Sequence, residues 1–575
     1  MERLEIKRVK GKSYFYYSKW GKVDGKCRRL WQRYLGTPEA LLEAVKKQKT
    51  PQEPLYAEVF QYGLPVVLWK ECQRWQIVDK VNQVCKKREQ GLSVGEYISI
   101  AAINRAISAV SKSGIWEWFS QTSLLRQFPG INADVLSSQQ FWNHMEKITA
   151  DDCKKIWEDL INDLMPKENI DLSSVSYDGT NFYTYIDTFN ARCSLAKRGR
   201  NKQGRNKLRQ INYALFCTAD GHLPLLYDVY EGNCNDVTHF PIALERFQKM
   251  LSQNVQSRGL QEKMTIVFDK GNNAKVNFDL IDSHNLFYVT SIKSDEQGKL
   301  GLVSNDDPRF EPCTDGNLEG TKSFRIKSHV FGKERTVIVT YSNNLYHRQW
   351  LTLQADIKKA LSELSLIQQN LEDRRNGIIK LGVKPTLASV NKRCQEALTR
   401  QYIKEIIVVT TSVGDKEIPC LEFEINQQKL QEISDIHLGK NIILTNRDGW
   451  NDCQVITAYR GQYIIEDVFK EVKDRDHGSW WPQYHWTDSK IHVHGLYCTI
   501  ALLLRGLIWR RTQQAGIKIS MDRILTELDN IREVVNIYQG KGKVNHAQTI
   551  LTKRSEIQER LMDVLGIPKT SQSTS

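Results

Sequence analysis

The sequence predicts an α/β protein whose strands cluster in the middle of the chain, between regions of helical periodicity. Three observations carry that prediction. From about residue 170, five short apolar runs follow one another: SSVSYDG, INYALFC, LPLLYDVY, MTIVFDKGN and LFYVTSIK. Before them, VGEYISIAAINRAI and CKKIWEDLINDLM place apolar residues at three- and four-residue steps, the period of an amphipathic helix. After them, the pattern alternates between hairpin-like and helical stretches. At 575 residues the chain exceeds one hydrophobic core, and about three to five domains are expected.

Residues 1–50 read as a small β-rich module. KSYFYYSKW and VDGKCRRLWQRYLG form two strands around an Asp-Gly turn. TPEALLEAVKKQ then starts a helix, with Thr37 as cap and Pro38 in the first turn. Residues 51–165 form a helical region, a scaffold or a DNA-binding element, without a decisive helix-turn-helix signal. Residues 166–300 hold the five strands. MTIVFDKGN is apolar almost throughout, as expected of a strand buried on both faces.

Residues 301–448 interrupt the strand pattern and are expected to form a β-rich mixed insertion. SFRIKSHVFGKERTVIVTYS reads as a hairpin. Trp350, Leu353, Ile357, Ala360, Leu364, Ile367 and Leu371 then make a coiled-coil-like seam, read as packing within the chain, with a dimer seam as the alternative. Residues 449–515 return to the core, and 516–575 are expected to be helical with a disordered TSQSTS tail. LYCTIALLLRGLIW is too short for a membrane span and contains Arg505, so it is expected to be a buried core helix and no membrane partner is expected. The N-terminal residues lack an apolar signal core, and the 12 cysteines contain no CxxC pair. Both fit a reducing, cytoplasmic setting.

Chemistry enters at the ends of two strands. Asp178 closes SSVSYD and Asp269 closes MTIVFD, and strand ends place side chains at the rim of a sheet, where a site can open. A third carboxylate, Glu466, lies in YRGQYIIEDVFKEVK. On one helix, Tyr459, Glu466 and Lys473 share a row one heptad apart with Gln462 beside it, while Ile465, Val468, Phe469 and Val472 form an adjoining apolar face. Asp178, Asp269 and Glu466 are candidates for one metal site. Carboxylate oxygens suit Mg²⁺ or Mn²⁺, and two such ions can serve both oxygens of a phosphoryl transfer. Lys473 could contact a phosphate there, and Tyr459 could stack on or hydrogen-bond to DNA.

The net charge of +14 also points to an anionic partner, most simply nucleic acid. Thr188–Ala219 concentrates that charge. It carries Arg192, Lys197, Arg198, Arg200, Lys202, Arg205, Lys207 and Arg209 and no acidic residue. It follows the Asp178 strand, and Gly199 and Gly204 suggest a mobile loop that clamps DNA phosphates. His492 and His494 are two apart and face different ways on a helix, which argues against a shared zinc ion. Trp480, Trp481 and Trp486 are read as packing residues.

YDGTNF, VFDKGNN and YRGQYIIEDVFKEVK, in that order, resemble the three catalytic blocks of the DDE transposases of prokaryotic insertion sequences. The branch resembled carries a Tyr-x2-Arg-x3-Glu-x6-Lys signature, and WWPQYHWTDSKIHVHGLYCTIALLL is similar to the same branch. The resemblance covers roughly 170–515. It implies an RNase H-like core interrupted by an insertion, for which the 197-residue separation of Asp269 and Glu466 leaves room. It further implies metal-dependent cleavage at terminal inverted repeats, strand transfer into target DNA, and a homodimer on the DNA ends. By position, Asp178, Asp269 and Glu466 are the implied metal ligands, and Tyr459 and Lys473 the implied DNA contacts. The signature arginine is Gln462 here, and Arg460 could supply the charge. The alternatives are another RNase H-like nuclease and a non-catalytic DNA-binding protein derived from a transposase.

Overall fold

The structure is a computed structural model. It describes the chain except residues 24, 50–52, 86–90, 202–203, 221, 254–263, 293–297, 315–317, 476–479, 482, 541–544 and 570–575. Lys202, His477 and the TSQSTS tail therefore lie outside the described residues. The chain divides into two compact units: residues 1–63, 121–123 and 526–575 form one, and residues 64–120 and 124–525 the other.

In the first unit, β1 (Glu2–Val9), β2 (Lys12–Val23) and β3 (Lys26–Gly36) make an antiparallel meander. The sequence showed two of these strands; β1 is the addition. Helix Pro38–Lys49 follows, and Thr37 Oγ1 accepts from the Ala40 amide at 3.3 Å. β4 (Tyr56–Gln61) is the edge of a second sheet, completed by strands from the far end of the chain.

In the second unit, β5 (Ser174–Thr184), β6 (Lys197–Arg198), β7 (Arg209–Thr218), β8 (Pro224–Glu231), β9 (Thr265–Phe268) and β10 (Phe287–Ser291) come first. β11 (Glu311–Pro312), β12 (Thr321–Val330), β13 (Lys333–Ser342), β14 (Ile407–Val413), β15 (Pro419–Ile425) and β16 (Lys440–Thr445) follow. The main sheet runs β11-β12-β13-β16-β10-β9-β5-β7-β6, with β8 also on β7. β5, β9 and β10 are parallel, whereas β7 runs antiparallel to both of its neighbours, β5 and β8. All four residues of β9 are buried, as its unbroken apolar run requires.

The SFRIKSHV…TVIVTYS hairpin does not begin a separate insertion. β12 and β13 extend the main sheet through β16: Ile338 buries against the same core as Val289 and Ile443, while Val337 and Val339 are buried on the opposite face. What leaves the sheet is the stretch from Asn343 to Ile436. It is mainly helical, with β14 and β15 as its one hairpin. Helix Asn343–Arg375 buries Leu353, Ile357, Ala360, Leu364, Ile367 and Leu371 against Val390, Cys394, Ile403, Ile406 and Leu421. The heptad-like seam is thus filled from within the chain.

The helices between Gly63 and Lys167 pack as scaffold. Helix Val94–Ile107 starts with a capping box, Ser93 accepting from the Glu96 amide and Glu96 from the Ser93 amide, and is buried along nearly its whole length. Its neighbour is helix Asp488–Gln514. That helix is long and apolar enough to cross a membrane by length and composition, yet 94% of its apolar window is buried inside the protein. Arg505 is buried with it, 3.5 Å from Glu471.

The expected helical C-terminus is corrected. Between helices Met521–Asp529 and Glu556–Leu565, β17 (Arg532–Tyr538) pairs with β18 (His546–Leu551) and, on its other side, with β4. Val534, Val535 and Ile537 supply the β-branched residues that suit a strand.

Candidate active site

β5 and β9 set the two aspartates side by side. Their parallel register ends at Tyr177 opposite Phe268, so Asp178 and Asp269 come next on adjacent strands. β9 stops there. β5 does not: it continues to Thr184 against β7, so Asp178 is a mid-strand residue rather than the strand end expected from the sequence. Its carboxylate accepts from the Gly179 amide at 2.7 Å.

Alternation decides which face carries the carboxylates. Tyr177 and Phe268 both pack on Phe240, below the sheet. Asp178 therefore shares the opposite face with Phe182, and Asp269 shares it with Val267. That face is covered by helices Asp452–Arg460 and Tyr463–Lys473. The stretch expected to be one helix is two. The Gln462 amide bonds to the Tyr459 carbonyl at 3.1 Å, a tightened turn, although Gly461 and Gln462 keep right-handed helical dihedrals. The second helix buries Ile464, Ile465, Val468, Phe469 and Val472 and leaves Glu466 exposed in its first turn.

Tyr459 connects the pieces. Burial, then the charges of Asp269 and Glu466, push its phenol pKa up, while a hydrogen bond with Ser291 pulls the other way. The phenol thus lies within the field of two of the three carboxylates. The donor set, three carboxylates, is that of a hard divalent cation. Among the described residues, however, no three His, Cys, Asp or Glu side chains converge closely enough to hold one ion. The fold brings the carrying elements together without gathering all three carboxylates around one point.

Lys473 lies at the other end of its helix, with Nζ 5.9 Å from the Phe182 ring centroid. Phe182 stacks on Trp480 at 4.6 Å and 9°. Trp480 is fully buried, Trp481 packs on Phe182 and Tyr183, and Trp486 is 53% exposed, so packing accounts for the first two only. His494 spends both ring nitrogens internally, on Tyr497 at 2.5 Å and the Trp480 carbonyl at 2.7 Å. Arg460 turns toward β12, where Nη2 donates to Thr321 Oγ1 at 2.7 Å. Gln462 is half-buried at the helix joint.

The basic segment is more ordered than its glycines suggested. Lys197–Arg198 pairs with β7 as β6. Gly199 is needed for contact rather than mobility, since a side chain there would run into the Gly232 carbonyl. Asp488 fastens the segment from outside, accepting from the Ser194 and Leu195 amides and from Ser194 Oγ. Arg209 fastens it from inside. Its guanidinium donates to the carbonyls of Asp187 (2.7 Å), Cys193 (2.6 Å) and Ala196. Those donors are spent, which takes Arg209 out of any phosphate clamp. Arg192, Arg198, Arg200, Arg205 and Lys207 are exposed, and Lys197 is half-exposed.

One neighbour of the site comes from the end of β8 and the start of the helix after it, Asp236–Gln253. A methyl group on Gly179 would stand 2.9 Å from Asp236 Oδ1 and 3.1 Å from the Tyr230 hydroxyl, themselves hydrogen-bonded at 2.9 Å. This pair backs the strand directly behind Asp178, and no periodicity in the sequence points to it.

Residues 172–504, more than half of the chain, match the family described as the transposase DDE domain. The chain belongs to that family. No curated protein matches it. Among solved structures, it is similar to a piggyBac transposase synaptic complex with hairpin DNA, at TM-score 0.37 and 11% identity, covering 81% of this chain and 79% of that one. It is also similar to a pre-cleavage Mos1 transpososome, at TM-score 0.15 and 12% identity over 38% of this chain and 66% of the other. A Mos1 mariner paired-end complex with Mn gives TM-score 0.14 and 14% identity over 44% and 72%. Within this transposase-family chain, the matched residues take in Asp178, Asp269 and Glu466.

The signature position yields a prediction. Gln462→Arg adds a forked cation where a neutral amide now stands. Cleavage or end binding is expected to be retained or improved in an end-cleavage assay. Severe inactivation of a folded variant would show that this position does not face a phosphate.

Proposed function

We propose that the protein is a transposase of a prokaryotic insertion sequence that cleaves DNA at terminal inverted repeats and joins the freed ends to target DNA. The observation that carries this reading is the placement of Asp178 and Asp269, each the residue after the last pair that joins two adjacent parallel strands, beneath the Glu466 helix and inside the matched DDE region. The strand order β8-β7-β5-β9-β10, antiparallel then parallel, supports an RNase H-like core. Asp178, Asp269 and Glu466 would hold Mg²⁺ or Mn²⁺, in two-ion form. When bound, such ions supply charge stabilisation at the attacking and leaving oxygens of phosphoryl transfer.

The chain's own groups do the rest. Lys473 offers its ammonium to a phosphate beside the carboxylates, and the Tyr459 phenol, kept protonated by burial and by its acidic neighbours, donates a hydrogen bond toward the DNA strand. The exposed cations of the Arg192–Lys207 segment hold the duplex, and the protein acts as a homodimer on paired ends in the cytoplasm, where the chromosome lies. The test is a cleavage assay on duplexes carrying the element's own ends, with and without Mg²⁺. Absence of metal-dependent nicking by folded protein would overturn the reading.

A second measurement addresses the clamp. Replacing Lys197, Arg198 and Arg200 together with Ala should weaken end binding and flatten its salt dependence by about one logarithmic unit per lost phosphate contact. Titrations at several salt concentrations check this, and an unchanged slope would make the segment a solvated surface.

A further inference from the structure

Residues of the helical scaffold and of the segment after Trp480 enclose a cavity of about 320 Å³. It is lined by Arg105, Lys112, Trp142, Tyr484 and His485, with Ser111, Ser113 and Ser138 between them. Three of these side chains are charged or titratable and more than nine-tenths buried: Arg105 is 1% exposed, His485 4% and Lys112 7%. Among the described residues, no carboxylate lines the cavity.

The polar atoms facing the cavity are incompletely used. Lys112 Nζ has no hydrogen-bond partner among the described residues; it lies 4.4 Å from the Tyr497 ring centroid and 5.3 Å from that of Phe141. Ring faces attract a cation but accept none of its three protons as a lone pair would. His485 turns Nε2 to the Tyr497 hydroxyl at 3.1 Å and leaves Nδ1 without a partner among the described residues. Arg105 donates from Nη1 to the Trp481 carbonyl at 2.9 Å. Two cations gathered in a buried, carboxylate-free cavity repel one another and carry a desolvation cost that an anion between them would offset.

We propose that this cavity is a phosphate-binding site, taking a phosphate monoester or diester between Lys112, Arg105 and His485. It has a role beyond the proposed function, since neither the three carboxylates nor the basic segment lines it. Phosphate suits the donors better than a carboxylate would. Its several oxygens can accept from an ammonium, a guanidinium and an imidazole converging from different sides. The volume exceeds one phosphate group, so the ligand extends outward, where Tyr484, 69% exposed, and Trp142 offer ring faces to a sugar or base. Burial, then the Arg105 charge, press the Lys112 ammonium toward its neutral form; a bound phosphate works in the opposite direction. Tyr497, which His485 and Lys112 contact, is tied in turn to β5: His494 joins its hydroxyl to the Trp480 carbonyl, and Trp480 stacks on Phe182.

The experiment uses the full chain and inorganic phosphate as probe, in chloride buffer of matched ionic strength, read by phosphorus NMR line-broadening and thermal unfolding. For the wild type, saturable broadening is expected, with Tm rising by about 2–5 °C at a hundredfold excess over Kd. Lys112→Met should abolish both responses, while Lys112→Arg keeps most of them. Ser113→Asp, at the exposed edge, should also abolish them by repulsion without touching the core. A wild type with no saturable response would overturn the proposal, as would unchanged responses in folded K112M or S113D; Lys112 would then be a buried cation held by two rings. A duplex of about 20 base pairs separates the sources. Displacement of bound phosphate by duplex assigns the site to the DNA backbone, and phosphate that stays bound beside saturating duplex assigns it to a small phosphate ligand. Either result keeps the site.

Discussion

Alanine at Asp178, Asp269 or Glu466 is expected to abolish strand cleavage while end binding survives. Each change removes one carboxylate from a set with no evident substitute on that face of the sheet. Loss of one preorganised charge-stabilising group lowers a rate by about 10²–10³-fold. Binding should persist, because phosphate contacts come from Lys and Arg elsewhere, and may be measured by gel shift alongside cleavage. Glu466→Asp is the sharper form. It keeps the charge but withdraws the carboxylate by one methylene, and near-attack geometry does not tolerate such a displacement. Near-normal Mg²⁺-dependent cleavage by any alanine variant would falsify the assignment. Simultaneous loss of binding would indicate misfolding, which circular dichroism detects.

Arg209→Ala is the second large expected effect, and it acts through structure. The guanidinium ties the carbonyls of Asp187, Cys193 and Ala196 into one knot at the base of the basic segment. Hydrogen bonds to a charged donor contribute about 1.5–3 kcal/mol each, and the carbonyls left behind are partly shielded from water. A loss of about 3 kcal/mol in unfolding free energy is expected in a urea titration. End binding should weaken because the segment loses its shape. The salt slope should stay near the wild-type value, since no phosphate contact is removed. That separates Arg209 from Lys197, Arg198 and Arg200, whose replacement changes the slope and spares stability. A stable R209A protein with a reduced slope would return Arg209 to the clamp.

Much of the sheet was legible because its strands are buried on both faces and so read as apolar runs. MTIVF, LFYVTS and INYALFC each fall on an observed strand. The two aspartates were legible as punctuation of those runs. What local pattern could not supply was the continuation of β5: TNFYT reads as polar-aromatic, and only its pairing with β7 makes it strand. The β12–β13 hairpin was visible, but its membership of the main sheet depends on β16, about a hundred residues later. The role of Arg209 was hidden for another reason. A composition count treats every cation in Thr188–Ala219 alike, whereas one of them faces inward. Lys112 left no sequence signal either, because burial of a lysine is a tertiary fact.

The pairing of β4 with β17 sets a timetable for the molecule's birth. β4 is made early, and its partner lies some 470 positions downstream, near the end of synthesis. At bacterial-to-eukaryotic elongation speeds, β4 must remain an unsealed edge for roughly 25–90 s before β17 emerges. The nascent chain can complete the Asp178 sheet during that interval but not the sheet that joins its two ends. A truncated translation product would therefore carry an assembled catalytic-type core beside an unclosed terminal unit, with a free strand edge to mark it for chaperones and proteases. Ribosomes that stall short of Arg532 would release a recognisably unfinished protein.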